Sequence, residues 1–217
     1  MTINPTISER IRQSVACNLQ LSVHPSFLEK CLPKALHNFT ALRHPRLKLK
    51  ILTYLLHRLK LDPVSEELLH HPYRCFLSLS PQQWSIFTDR LGSLYFLEEI
   101  KTTVDHFKKR ILVSLISEKG YNFIVHRGNL YTPILKNISV PHCSGELDQR
   151  IRNVGRFLLE YLWTQQPQPL LQRFVLNFNN TLMWNFQHII DPHLQQQLFN
   201  ICKHLLKETE TVEKCLF

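Results

Sequence analysis

The 217 residues, 25.7 kDa, are 44% hydrophobic with a mean hydropathy of -0.16, ordinary for a globular chain with enough apolar material for a core. Disorder throughout is excluded, and so is a membrane-spanning helix, because the longest apolar runs, such as Ile111-Leu112-Val113, fall far short of the ~20 residues a bilayer requires. Charge is the outlying quantity: 26 Lys and Arg against 17 Asp and Glu give +9 and a pI near 9.4, the balance of a chain that meets nucleic acid, anionic lipid or an acidic protein surface.

The opening Met1-Thr2-Ile3-Asn4-Pro5 lacks the basic start and apolar centre of a secretory signal, and Thr2 stands where myristoylation needs glycine. Six cysteines, at 17, 31, 75, 143, 202 and 215, are well separated and form no CxxC pair. They read as reduced, mostly buried thiols, which places the chain in a cytosol.

Only five glycines against twelve prolines argues for helices rather than a β-rich fold. In chain order, Thr6-Ile7-Ser8-Glu9 is a capping box, and His24-Pro25 and His44-Pro45 mark helix starts with weaker caps. Asp62-Pro63, Ser80-Pro81 and Asp191-Pro192 each set a capping side chain before a proline at the first helical position. Leu91, Leu94, Leu97, Ile100, Val104, Phe107, Ile111 and Leu115 recur every three to four residues, which predicts one long helix or two in succession. Residues 121–132 resist that pattern: a short apolar run between Gly120 and Arg127-Gly128-Asn129 predicts a small hairpin. Leu147, Ile151, Val154, Leu158 and Tyr161 make a further helical stripe, and Leu194, Leu198, Ile201 and Leu205 another. Over 174–186 the apolar residues fit both a strand alternation turning at Asn179-Asn180 and a helix in steps of four, so a short non-helical segment, a hairpin and a helix are all open. The expected fold is mainly α, a compact multi-helix domain. The Pro and polar break at 133–145 divides it into an N-terminal helical subdomain, 1–140, and a C-terminal one, 141–217, packed together because about 70 residues are few for independent folding.

Catalytic signatures are missing: the sequence has no P-loop, GxGxxG, GxSxG or HExxH. His70, His71 and Cys75, with His142 and Cys143, have the residue types of a metal site, but structural zinc sites show paired short spacings that these lack. Glu98-Glu99 and Asp105-His106 sit on a charged helix face beside Lys108-Lys109-Arg110. A non-enzymatic protein without cofactor or metal is the expectation.

The excess charge is local. Residues 30–61 hold eight basic residues and no acidic one, and subtracting those eight leaves 18 basic against 17 acidic, a net of +1. At its centre, residues 45–60 form an expected helix whose apolar face is Leu47, Ile51, Leu52, Leu55 and Leu59. Arg46, Lys50, His57 and Lys60 follow helical steps on the other face, a stripe suited to docking an acidic protein. Nucleic acid is not the expected partner, since no aromatic residues interleave with the stripe and no helix-turn-helix or RNA-binding signature lies beside it. A basic helical nucleic-acid-binding or regulatory protein is the alternative. Candidate apolar anchors for a partner are Phe174, Phe178, Phe186 and above all Trp184.

Three segments carry a resemblance. His71-Pro72-Tyr73-Arg74-Cys75-Phe76-Leu77-Ser78-Leu79-Ser80-Pro81-Gln82-Gln83 resembles the Arg-Cys, Ser-Pro and Gln segment of the bacterial type III secretion sorting-platform adaptors, the YscK/SctK group. Gly155-Arg156-Phe157-Leu158-Leu159, then Gln166-Pro167-Gln168-Pro169 and Arg173-Phe174, is similar to that group's later helix and linker. Cys202-Lys203-His204-Leu205-Leu206-Lys207, ending in Cys215-Leu216-Phe217, is similar to its terminal helix. The resemblance spans about residues 65–217 and leaves the basic stripe outside it. It implies a helical, non-enzymatic adaptor at the cytosolic face of the inner membrane. Such a protein joins the C-ring-like pod protein to the cytoplasmic domain of the inner-membrane ring protein, and meets the membrane only through that ring.

Overall fold

The computed structural model describes residues 24–32, 54, 57–62, 65–103, 105–179 and 181–207. Among these the secondary structure is helical, with no strand. The mainly α expectation is met. The chain divides into two compact units, one made of Met1–Pro81 with Gln166–Trp184, the other of Gln82–Gln165 with Asn185–Phe217. Residues 133–145, where the division was expected, lie inside the second. Leu135 and Ile138 are buried there, and Pro133 stands in the first turn of a helix.

In the first unit, helix α1 (Pro25–Cys31) starts where His24-Pro25 predicts, with His24 Nδ1 accepting from Ser26 N at 3.2 Å. Helix α2 (Glu66–Leu69) has Ser65 before it rather than Asp62. Asp62 is instead bound to a later helix, α9 (Gln168–Val175). Its N–H donates to Gln172 Oε1 at 2.7 Å, its Oδ2 accepts from Gln172 Nε2 at 2.9 Å, and its carbonyl accepts from both terminal nitrogens of Arg173 at 3.1 Å. The carboxylate that local sequence predicts as a cap is thus held by Gln172, while the buried Arg173 guanidinium takes the carbonyl of the same residue. A 3-10 helix, Pro72–Ser78, buries Tyr73, Phe76 and Leu77 and packs on α9.

The second unit is built around α3 (Pro81–Tyr95), which begins at the predicted Ser80-Pro81 and buries Trp84, Phe87, Leu91 and Leu94. The apolar stripe that continues from it is broken into three helices: α3, α4 (Leu97–Thr102) and α5 (His106–Ile116). Thr102 and Thr103 supply the second break, their hydroxyls bonding back to the carbonyls of Glu98 and Glu99 at 3.0 and 2.8 Å. Asp105 then caps α5, accepting from Phe107 N at 2.8 Å. The restart changes the phase: Phe107 is 70% exposed and Ile111 37%, while Leu112 and Ile116 are buried.

Where a hairpin was expected over 121–132 the chain is helical: α6 (Glu118–Arg127), a 3-10 turn (Gly128–Leu130) and α7 (Thr132–Lys136). The flanking glycines, which read as turn markers, have packing roles instead. A Cβ on Gly120 would meet Arg90 Nε at 2.6 Å, so the residue is glycine because a guanidinium lies on it. Over 174–186, where a short non-helical segment, a hairpin or a helix was open, the described residues after Val175 are non-helical. Helix α9 ends at Val175, and an Asx turn at Asn179 follows, its Oδ1 accepting from Thr181 N at 3.1 Å. The described residues 182–191 form neither helix nor strand.

Helix α8 (Leu147–Trp163) crosses α3 with backbone against backbone. A Cβ on Gly92 would sit 2.0 Å from the carbonyl oxygen of Ile151, and one on Gly155 would sit 2.1 Å from that of Thr88. Helix α10 (Pro192–Lys207) starts at the predicted Asp191-Pro192, Asp191 Oδ1 accepting from His193 N at 2.8 Å. Its Gln195 Nε2 donates to the carbonyls of Tyr161, Leu162 and Thr164 at 3.3, 3.0 and 2.9 Å, satisfying the acceptors that the end of α8 leaves open. Replacing Gly155 by Ala forces a methyl group into a main-chain oxygen, and a loss of about 3 kcal/mol or more is expected, read as a lowered urea midpoint. A Ser144→Ala control in the exposed loop should leave the midpoint within about 0.5 kcal/mol of the parent.

Candidate functional site

Of the residues assigned from sequence to partner binding, Arg46 and Lys50 lie outside the described residues. His57 and Lys60 are exposed and share one turn, Lys60 N donating to the His57 carbonyl at 3.2 Å with Lys60 at φ +49°. Trp184 is half-buried, its ring 5.0 Å from that of Phe174 and 4.6 Å from that of Phe178. Phe174 is fully buried, and the half-buried Phe178 and Trp184 form the open edge of this aromatic triad.

The residues weighed for metal and acid–base chemistry have local duties. His71 Nδ1 accepts from Tyr73 N at 3.4 Å at the start of the 3-10 helix, and Cys75 Sγ donates to the Pro72 carbonyl at 3.2 Å. Among the described residues no three His, Cys, Asp or Glu side chains gather as metal ligands would. Glu99 pairs with Arg150, and Asp105 is the cap of α5. Of the four described cysteines only Cys202 is buried; Cys31, Cys75 and Cys143 are half-buried, against the expectation of mostly buried thiols. Among the described residues no helix is long and apolar enough to cross a membrane.

A basic pocket in the second unit was not foreseen. Its volume is about 460 Å³, and it is lined by Arg90 from α3, by Lys119, Asn122, Phe123, His126 and Arg127 from α6, and by Leu205 from α10. No lining side chain is acidic; exposed Glu118 precedes the face without contributing to it. Arg90 is only 8% exposed, and its Nε donates to the Ile116 carbonyl at 3.0 Å while Nη2 donates to Ser117 Oγ at 2.8 Å. It therefore sits at the carbonyl end of α5, where a cation is favoured. Ser117, at φ +67°, also caps α6 by accepting from Gly120 N at 3.3 Å. Phe123 is stacked on Tyr131 at 6.0 Å, and the Tyr131 hydroxyl is 3.3 Å from His204 Nδ1. The signal for this site was present in the sequence: Lys119, Asn122, Phe123, His126 and Arg127 have the spacing of one helix face. Reading 121–132 as a hairpin concealed it, and nothing in the sequence joins Arg90 to them.

Beside Arg90, Asp89 is buried at 6% exposure. Burial pushes its carboxyl up from 3.8 to about 7, with Arg152 opposing the rise and Asp148 adding to it. No protein-family model, curated protein or solved structure matches this chain.

Between its unfolded and folded values Asp89 keeps a proton in the folded chain that the unfolded chain has lost. Its contribution to stability is therefore greatest below pH 4, falls as pH rises to about 7, and is level above that. Asp89→Asn should flatten this dependence and raise the urea midpoint at pH 8 relative to the parent, with little difference at pH 4. Equal pH profiles for the two proteins would show that Asp89 titrates normally.

Proposed function

We propose that the chain is a non-enzymatic cytosolic adaptor of a bacterial type III secretion sorting platform, joining the pod protein to the cytoplasmic domain of the inner-membrane ring protein. The observation that carries this reading is order: three segments resembling the family follow one another in the family's sequence. The first supplies the 3-10 helix 72–78 and the start of α3, the second runs along α8 through the Pro-Gln-Pro stretch into α9, and the third lies in α10. In each, the resembling residues include core positions, among them Tyr73, Phe76, Leu158, Phe174 and Cys202.

The surface also favours protein docking. Phe107 is 70% exposed on α5, and its neighbours Lys108, Lys109 and Arg110 are exposed cations. An aromatic side chain among positive charges supplies both an anchor and electrostatic steering toward an acidic partner. The basic stripe of residues 30–61 adds a second positive feature in sequence.

Co-expression with the pod protein and with the ring protein's cytoplasmic domain from the same organism tests this directly. A complex with each that survives size-exclusion chromatography is expected; no binding to either at micromolar concentration rejects the proposal. Charge reversal at Arg46, Lys50 and Lys60 together should weaken one of the two contacts about tenfold at low salt and less at high salt, measured by calorimetry. Unchanged binding at both salts would remove the stripe from the interface.

A further inference from the structure

We infer that the pocket between α3, α6 and α10 is a binding site for an extended acidic peptide segment of a partner protein, one carrying Asp or Glu at alternate positions. This inference is independent of the secretion reading, because it rests only on the pocket.

The ligand class follows from how the charges are arranged. Lys119 and Arg127 are eight residues apart on one face of α6, a rise of about 12 Å, with His126 beside Arg127 and the Asn122 amide between. Arg90 adds a fourth basic side chain from a different helix. Backbone positions spread over such a length present a row of basic residues rather than a cluster at one helix turn. Two amides at the start of α6 are already used: Gly120 N donates to Ser117 Oγ at 3.3 Å and Tyr121 N to the Ser117 carbonyl at 2.9 Å. An extended peptide fits the spacing. Its side chains at i and i+2 leave the same face about 7 Å apart, so carboxylates at i, i+2 and i+4 cover about 13 Å. Phe123 and Leu205 provide apolar wall for the intervening residues. One face of Phe123 is taken by Tyr131, which leaves little for stacking a nucleotide base.

Arg90 is the positioning residue. Its two hydrogen bonds at the α5–α6 corner hold the guanidinium against Gly120, so its place in the pocket is set before any ligand arrives. Lys119, His126 and Arg127 are exposed and adapt to the ligand.

The test uses the full chain and a fluorescein-labelled Gly-Glu-Gly-Glu-Gly-Glu-Gly peptide, with the Gln peptide as its neutral counterpart, read by fluorescence anisotropy at about 50 mM and about 300 mM salt. Saturable binding of the acidic peptide alone, weaker at the higher salt, is expected. Lys119→Glu with Arg127→Glu should reduce affinity at least tenfold, whereas Lys101→Glu with Arg152→Glu, an equal change of charge at exposed positions of α4 and α8, should alter it less than threefold. Equal losses in the two double variants would overturn the site, since only net charge would then matter. Displacement of the peptide by inorganic phosphate at a few millimolar, or by a single-stranded oligonucleotide at the peptide's own concentration, would overturn the ligand class. Glu208 and Glu210 follow Leu205 closely in the chain at the alternate spacing, with Glu213 three residues further on, so the Glu208→Gln, Glu210→Gln, Glu213→Gln triple variant is measured beside the parent. Binding by this variant alone would still support the site, as a pocket with an intrachain competitor; binding by neither protein would refute it.

Discussion

Main-chain contact between α3 and α8 constrains the second unit more than any other feature. At Gly92 and Gly155 each helix presents bare backbone to the carbonyl face of the other, and the nearest oxygens stand where a Cβ would be. Ile151 of α8 is buried in one cluster with Ile100 of α4 and Leu112 of α5, and Val154, Leu158 and Leu162 are buried further along the same helix. Interiors are close-packed, so a single methylene at such a crossing must displace one helix bodily. With α8 placed, its exposed carbonyl end is closed by Gln195, and α10 is held by that amide.

Arg90 transmits the position of α3 to the corner between α5 and α6. A buried guanidinium is costly unless its hydrogens are used, and here the Ile116 carbonyl and the Ser117 hydroxyl use two of them. Ser117 then caps α6, which is why that helix starts where it does and why Lys119, His126 and Arg127 face one cavity. The same contact that completes the core thus builds the basic pocket. Arg173 has the corresponding role in the first unit, where its guanidinium binds the Asp62 carbonyl across a long stretch of chain.

Helix starts were legible wherever a capping residue precedes proline and nothing distant competes. Ser80-Pro81 and Asp191-Pro192 begin helices as written, and His24-Pro25 does so through its imidazole. Asp62-Pro63 shows the limit, since its backbone and carboxylate are claimed by Gln172 and Arg173 more than a hundred residues later. Helical continuity was less legible. Thr102, Thr103 and Asp105 interrupt a stripe whose spacing runs straight through them, and the restart exposes Phe107, which the stripe counted as buried. Glycine misled most: Gly120 and Gly128 imply turns around 121–125, yet both are buried within helical turns because neighbouring side chains occupy the space where a Cβ would be.

The sequence by itself determined the helical class, most of the capped starts, the apolar faces of α8 and α10, and the concentration of positive charge in residues 30–61. All of these depend on neighbours within about four positions, where caps and helical periodicity act. Only the tertiary structure decided that residues 133–145 belong to one unit, that 121–125 is helix, and that Arg90 joins Lys119 and Arg127 around a cavity. Those outcomes depend on which backbone lies against which, and a glycine is silent about its neighbours until a helix or a guanidinium is packed on it. Outside residues 30–61 the chain is almost neutral in sequence, yet folding gathers its charges unevenly, and the basic pocket exists only in three dimensions.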